Sequence, residues 1–162
     1  MDSIFIFRDV DYITIARVFL AFVLGGVVGF ERERVRRPAG LRTHMLVAAG
    51  SACFTVASIY GFDNLGTNRD PARLAAQIIT GIGFLGAGAI FRTGDMVRGL
   101  TTASSIWITA AIGIVSGLGM FVLAVFTTVI TWFALYVLKS WENRRSQREL
   151  GESNQEDHDI VT

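Results

Sequence analysis

The 162 residues contain one cysteine, two prolines and two histidines. A single cysteine, Cys53, makes no intramolecular disulfide, and its place in an apolar run reads as a small buried apolar residue. The prolines, Pro38 and Pro71, stay out of the apolar runs. Charge is scarce, at 18% of residues, and none lies between Arg98 and Lys139. That run of roughly 40 residues has room for two membrane spans of about 20. The net charge is +1, which gives no nucleic-acid surface. There is no nucleophile–base–acid set, thiolate metal site or nucleotide loop. Neither an enzyme nor a cofactor is expected.

What is present is apolar. Half the residues are hydrophobic and the mean hydropathy is +0.46. Five apolar segments stand out, at about 12–30, 41–62, 71–91, 99–118 and 120–138. Each is near the roughly 18 to 20 residues that cross a bilayer. The expected fold class is therefore all-α, a polytopic transmembrane helical bundle of about five spans. Residues 1–139 form that domain, and 140–162 a polar tail too charged to bury a core. The N-terminus lacks the basic region of a cleaved signal. Arg17, inside the first segment, either snorkels to the nearer face or points into the bundle.

Orientation follows the arginines. Arg32, Arg34, Arg36, Arg37 and Arg42 follow the first segment, Arg92 and Arg98 the third, and Lys139, Arg144, Arg145 and Arg148 the fifth. The opposite side has Arg8, Arg69 and Arg73. This places the N-terminus outside and the C-terminus in the cytoplasm.

The stretch 81–107 reads as the seam of the bundle. Gly81, Gly83, Gly86 and Gly88 precede a short charged loop of Arg92, Asp95 and Arg98. Four glycines would destabilise a helix in water by about 1 kcal/mol each relative to alanine. In a bilayer they let a neighbouring backbone come close. Gly81-x-Gly83-x-x-Gly86 is not a dinucleotide site, because it lacks the preceding strand and turn. Gly25 with Gly29, and Gly113 with Gly117, are small-residue pairs for helix packing. The motif LGGVVGF at 24–30 resembles LGAGAIF at 85–91, a faint internal repeat.

Polar residues gather at one end. Glu31, Arg32 and Glu33 close the first segment, where carboxylates oppose the helix dipole and need partners. They form either a salt-bridge collar or a cation-attracting or docking site, hard oxygen ligands suiting Mg2+. Arg42, Thr43 and His44 open the second segment. His44 either satisfies a carbonyl or titrates near neutral pH. Asp70 reads as the N-cap of the third segment, ahead of a ligand role. Gln77 faces other helices. Thr101, Thr102, Ser104 and Ser105 bond their own helix or line a polar vestibule.

These motifs resemble the MgtC/SapB family of bacterial membrane proteins. The resemblance runs through Gly29-x-Glu31-Arg32-Glu33, Ala39-Gly40-Leu41-Arg42-Thr43-His44, Asp70-Pro71-x-Arg73-x-Ala75-Ala76-Gln77, the glycines at 81–88, and Arg98-Gly99-Leu100-Thr101-Thr102-Ala103 with Trp107. It covers roughly residues 20–120. It implies a multi-pass protein of the bacterial inner membrane. It also implies the family's themes of magnesium homeostasis, virulence and an inhibitory contact with the F-type ATP synthase. The functional surface it implies comprises Glu31, Arg32, Glu33, Arg42, Thr43, His44, Asp70, Gln77, Arg98, Thr101, Thr102 and Trp107. Longer members carry a soluble domain after the last span. Here a polar tail follows Trp141, as in a short member made of the membrane domain alone. The function expected is a non-enzymatic modulator of another membrane complex, in contact with the lipid bilayer. The alternative is a small homo-oligomeric Mg2+ channel or carrier.

Overall fold

Apolar runs of 17 to 23 residues, broken by glycine and charge, dictate helices, and helices are what form. The computed structural model describes residues 3–61 and 72–138. In chain order they are α1 (Ser3–Arg34), α2 (Leu41–Tyr60), α3 (Ala72–Gly88), β1 (Phe91–Thr93), β2 (Met96–Arg98), α4 (Leu100–Gly117) and α5 (Phe121–Phe133), which runs on into a π-helical turn at Ala134–Leu138. Three helices are long and apolar enough to cross a membrane, Tyr12–Arg34 within α1, α2 and α4; the apolar stretches Ala75–Gly88 and Phe121–Val137 are shorter. The tail and Asp70-Pro71 lie outside the described residues.

α1 runs past the expected end at Phe30 and closes at Arg34. Arg36 takes the left-handed conformation, φ 53°. The Arg36 N–H then donates to the Glu33 carbonyl at 2.9 Å and the Arg37 N–H to the Arg32 carbonyl at 3.0 Å. This paired closure satisfies carbonyls that the helix end would leave bare. Pro38 follows and prevents continuation.

α1, α2 and α4 make the tight part of the bundle. The buried positions of α2 are His44, Val47, Ala48, Ser51, Ala52 and Thr55, one continuous helical face. Cys53 falls off that face and is exposed, contrary to the burial expected of it. Against this face sit the glycine pairs. A Cβ on Gly25 would lie 2.6 Å from the His44 carbonyl oxygen, and one on Gly29 2.8 Å from Leu41 Cα. From the other side, a Cβ on Gly113 would run into the Ala48 carbonyl, and one on Gly117 would lie 2.8 Å from the Ala52 carbonyl. These pairings make α2 and α4 parallel and α1 antiparallel to both.

α5 returns beside α4 after a turn at Gly119, φ 82°. Ala124 and Leu135 pack with Ile112 of α4 and Leu24 and Val28 of α1. At that end of the bundle Arg17 of α1 points inward. Its Nη1 donates to the Gly117 carbonyl at 3.0 Å and to the Tyr60 hydroxyl at 3.3 Å. One α1 side chain thus ties down the last turns of both α2 and α4.

The charged loop expected after the third segment is a two-stranded hairpin. Phe91 pairs with Arg98, Arg92 with Val97 and Thr93 with Met96. Gly94, φ 61°, leads the two-residue turn Gly94-Asp95, the glycine-first pattern of hairpin turns. All six strand residues are exposed.

Candidate functional site

The site lies where α1 ends and α2 and α4 begin. Glu31 and Arg32 project from the last turn of α1, and their side chains are 3% and 1% exposed. Arg32 Nε donates to Glu31 Oε2 at 2.6 Å. Among the described residues Glu31 Oε1 and Arg32 Nη1 have no hydrogen-bond partner. An isolated buried carboxylate is costly, and this one is held by its sequence neighbour.

Glu33 does different work. It is exposed, and its Oε2 accepts the Leu41 N–H at 2.8 Å. Gly40 occupies the N-cap of α2 and has no side chain to cap with. The carboxylate of α1 therefore caps α2 from outside, at the positive end of that helix dipole. The adverse field at the end of α1 is offset by the favourable one at the start of α2.

His44, fully buried, bridges α2 to α4. Its Nδ1–H donates to the Gly40 carbonyl at 2.8 Å, and its Nε2 meets Ser105 Oγ at 3.0 Å. A carbonyl only accepts, so Nδ1 carries the proton. Ser105 also reaches the Thr102 carbonyl, 2.8 Å away. Glu31 and Arg32 are within electrostatic reach of the ring.

Glu31, Arg32, His44 and Thr102 are thus gathered into one buried cluster, with Ser105 as its link. The structure does not gather the rest. Arg42, Thr43 and Thr101 are exposed at the same end. Arg98 is exposed on the hairpin, opposite Phe91. Trp107 is half-exposed, facing a groove between α4 and α5. Gln77 faces a groove between α2 and α3. Asp70 lies outside the described residues. The Ser104 hydroxyl donates to the Leu100 carbonyl of its own helix at 2.9 Å. Among the described residues no three His, Cys, Asp or Glu side chains come together as a metal site.

The α3 glycines differ from the packing expected of them. Gly86 makes ordinary contact with Ala103 at 3.7 Å, and Gly81, Gly83 and Gly88 have nothing within 4 Å of a Cβ. Their spacing explains it. At 100° per residue the four point to two opposite sides of α3, and α4 covers part of one.

Ser105, which the functional surface implied by the resemblance does not include, is central to the cluster. Its signal in the sequence is spacing: Thr102, Ser105, Thr109 and Ser116 are buried hydroxyls on one face of α4.

The chain matches the MgtC family model over residues 18–144. It is 46% identical over 129 residues to "Putative magnesium transporter YhiD" of Escherichia coli K12, covering 76% of this chain and 59% of that one. It is 51% identical over 110 residues to Protein MgtC of Brucella abortus, covering 67% and 44%. It is 45% identical over 134 residues to Protein MgtC of Salmonella typhimurium, covering 82% and 55%. The chain spans about half the length of these curated relatives. No solved structure matches it. The matched residues take in nearly the whole bundle, and the chain belongs to the MgtC family.

Proposed function

We propose that this chain is a membrane-embedded, non-enzymatic modulator tied to magnesium homeostasis or low-magnesium adaptation, which acts on another membrane complex. The link to magnesium rests on the relatives, one of which is named for magnesium transport. The modulator reading rests on one observation: Glu31, the only buried carboxylate among the residues whose burial is described, is already neutralised by Arg32 at 2.6 Å. A carboxylate held by a guanidinium has little charge left for a hard divalent cation, which needs several oxygen ligands. Beside this pair Glu33 ties the end of α1 to the start of α2 and His44 ties α2 to α4, leaving Arg42, Thr43 and the hairpin exposed. The partner implied by the family resemblance is the F-type ATP synthase.

The proposed orientation puts this end in the cytoplasm of a bacterial inner membrane. It is supported by exposed arginines at 34, 36, 37, 42, 92 and 98, all at that end. The second reading, an oligomeric Mg2+ channel or carrier, is favoured by exposed Gln77 and the uncovered glycines of α3.

Reconstitution in liposomes with a Mg2+-sensitive dye separates the two. The modulator reading expects flux equal to that of empty liposomes, and inhibition of ATP-driven proton pumping when the chain is added to inner-membrane vesicles. Mg2+ flux that falls in Glu31→Gln or Gln77→Ala would replace it with the channel reading.

A further inference from the structure

We propose that the groove between α2 and α3 holds one acyl chain of an anionic phospholipid, with Arg42 at its mouth meeting the headgroup. The groove has a volume of about 540 Å3 and its lining is almost wholly apolar. It extends from Leu46 to Phe54 on α2 and from Leu85 to Gln77 on α3. Gly50 and Gly81 line it, and neither has an atom within 4 Å of where a Cβ would stand. The missing side chains are what make the hollow. In a soluble protein such a hollow would collapse or fill with side chains. α2 is long and apolar enough to span the bilayer, so its open groove faces lipid.

The groove runs about 12 Å along the two helices, the rise of eight helical residues, and is open along its length, so a flexible methylene chain can lie in it.

Charge decides the headgroup. Arg42 is exposed and lies one helical turn before Leu46, on the same face of α2. The groove therefore opens beneath a guanidinium at the arginine-rich end of the bundle. Anionic lipid is drawn to such a juxtamembrane arginine. Gln77 marks the opposite end, where the single exposed Arg73 stands one turn away, against the six exposed arginines 34, 36, 37, 42, 92 and 98 at the Arg42 end.

The test uses the chain in nanodiscs of phosphatidylglycerol or phosphatidylcholine, extracted into mild detergent, with native mass spectrometry counting retained lipid. The wild type is expected to keep one phosphatidylglycerol per chain, preferred over phosphatidylcholine by about fivefold. Gly81→Leu fills the hollow and is expected to cut retention of both lipids at least tenfold, with helix content unchanged. Arg42→Gln is expected to keep a lipid but lose the preference. Gly81→Ala adds one methyl to open space and is expected to cut retention at least twofold, which keeps the test valid if the leucine variant misfolds. Retention in the glycine variants equal to that of the wild type would overturn the proposal. So would a wild type that keeps no lipid, or a wild-type dimer that Gly81→Leu splits, which would assign the groove to a second copy.

Discussion

α2 meets α1 and α4 backbone to backbone, whereas α3 meets its neighbours lightly. Both surfaces are rich in glycine. On α1 and α4 the glycines come four apart, at 25 and 29 and at 113 and 117, and each pair presses on one face of α2. On α3 they come at 81, 83, 86 and 88, and three of the four touch nothing. The lesson is that spacing, and not glycine content, makes a packing surface. A pair four apart stays on one face, and a neighbour can follow it. A cluster spread around the helix thins it on both sides and leaves hollows.

Substitutions can break or sharpen this contrast. The two largest effects are expected at Gly113 and Arg32. Gly113→Val drives a side chain into the Ala48 carbonyl and should destabilise by about 3 kcal/mol or more, read as loss of folded protein in a thermal melt. A melt within 2 °C of wild type would mean that α4 moves freely against α2.

Arg32→Ala comes next. It leaves Glu31 buried and unpaired, at an expected cost of about 3–5 kcal/mol. The double variant Glu31→Gln/Arg32→Met should recover much of the loss, since it buries no charge. Equal melting of the single and double variants would show that the pair contributes through packing and not through charge.

Ser105→Ala removes the link from α4 to His44 and should cost about 1–3 kcal/mol. Detergent unfolding monitored by circular dichroism gives the value. Glu33→Ala should cost about 1 kcal/mol through the lost cap on α2, and Glu33→Gln, which keeps an acceptor, should cost less. Amide exchange at Leu41 would report the same bond directly.

The smallest effect is on α3. Gly83→Ala puts a methyl where nothing lies within 4 Å and should be neutral or stabilising by up to about 1 kcal/mol. A destabilisation comparable with that of Gly113→Val would erase the contrast between the two surfaces.

Much of this was written in the residues. Continuous apolar runs gave the five helices, because nothing but a helix or a closed barrel satisfies its backbone in lipid. The need of Glu31 and Glu33 for partners was legible from their place at a helix C-terminus. Which partner Glu33 takes was not, since it depends on how α1 turns into α2. Glu31 finds Arg32 inside, and Glu33 finds a backbone N–H outside. The hairpin at 91–98 is short, charged and exposed, with no alternation of apolar residues to mark it, although Gly94-Asp95 is a recognisable turn pair. Cys53 is exposed because burial on α2 follows a helical face and not the apolar run as a whole.

Arg17 and Glu33 sit on the same helix, one tied to the far ends of α2 and α4 and the other to the start of α2. Sixteen residues of helix separate them by about 24 Å, and the hydrocarbon layer is about 30 Å thick. Helix α1 is therefore pinned at two depths closer together than the membrane is thick. It cannot slide or tilt alone to match a thicker bilayer. The bundle must tilt as a body, or the lipid around it must thin, so membrane thickness becomes a mechanical load on the Arg17 and Glu33 hydrogen bonds.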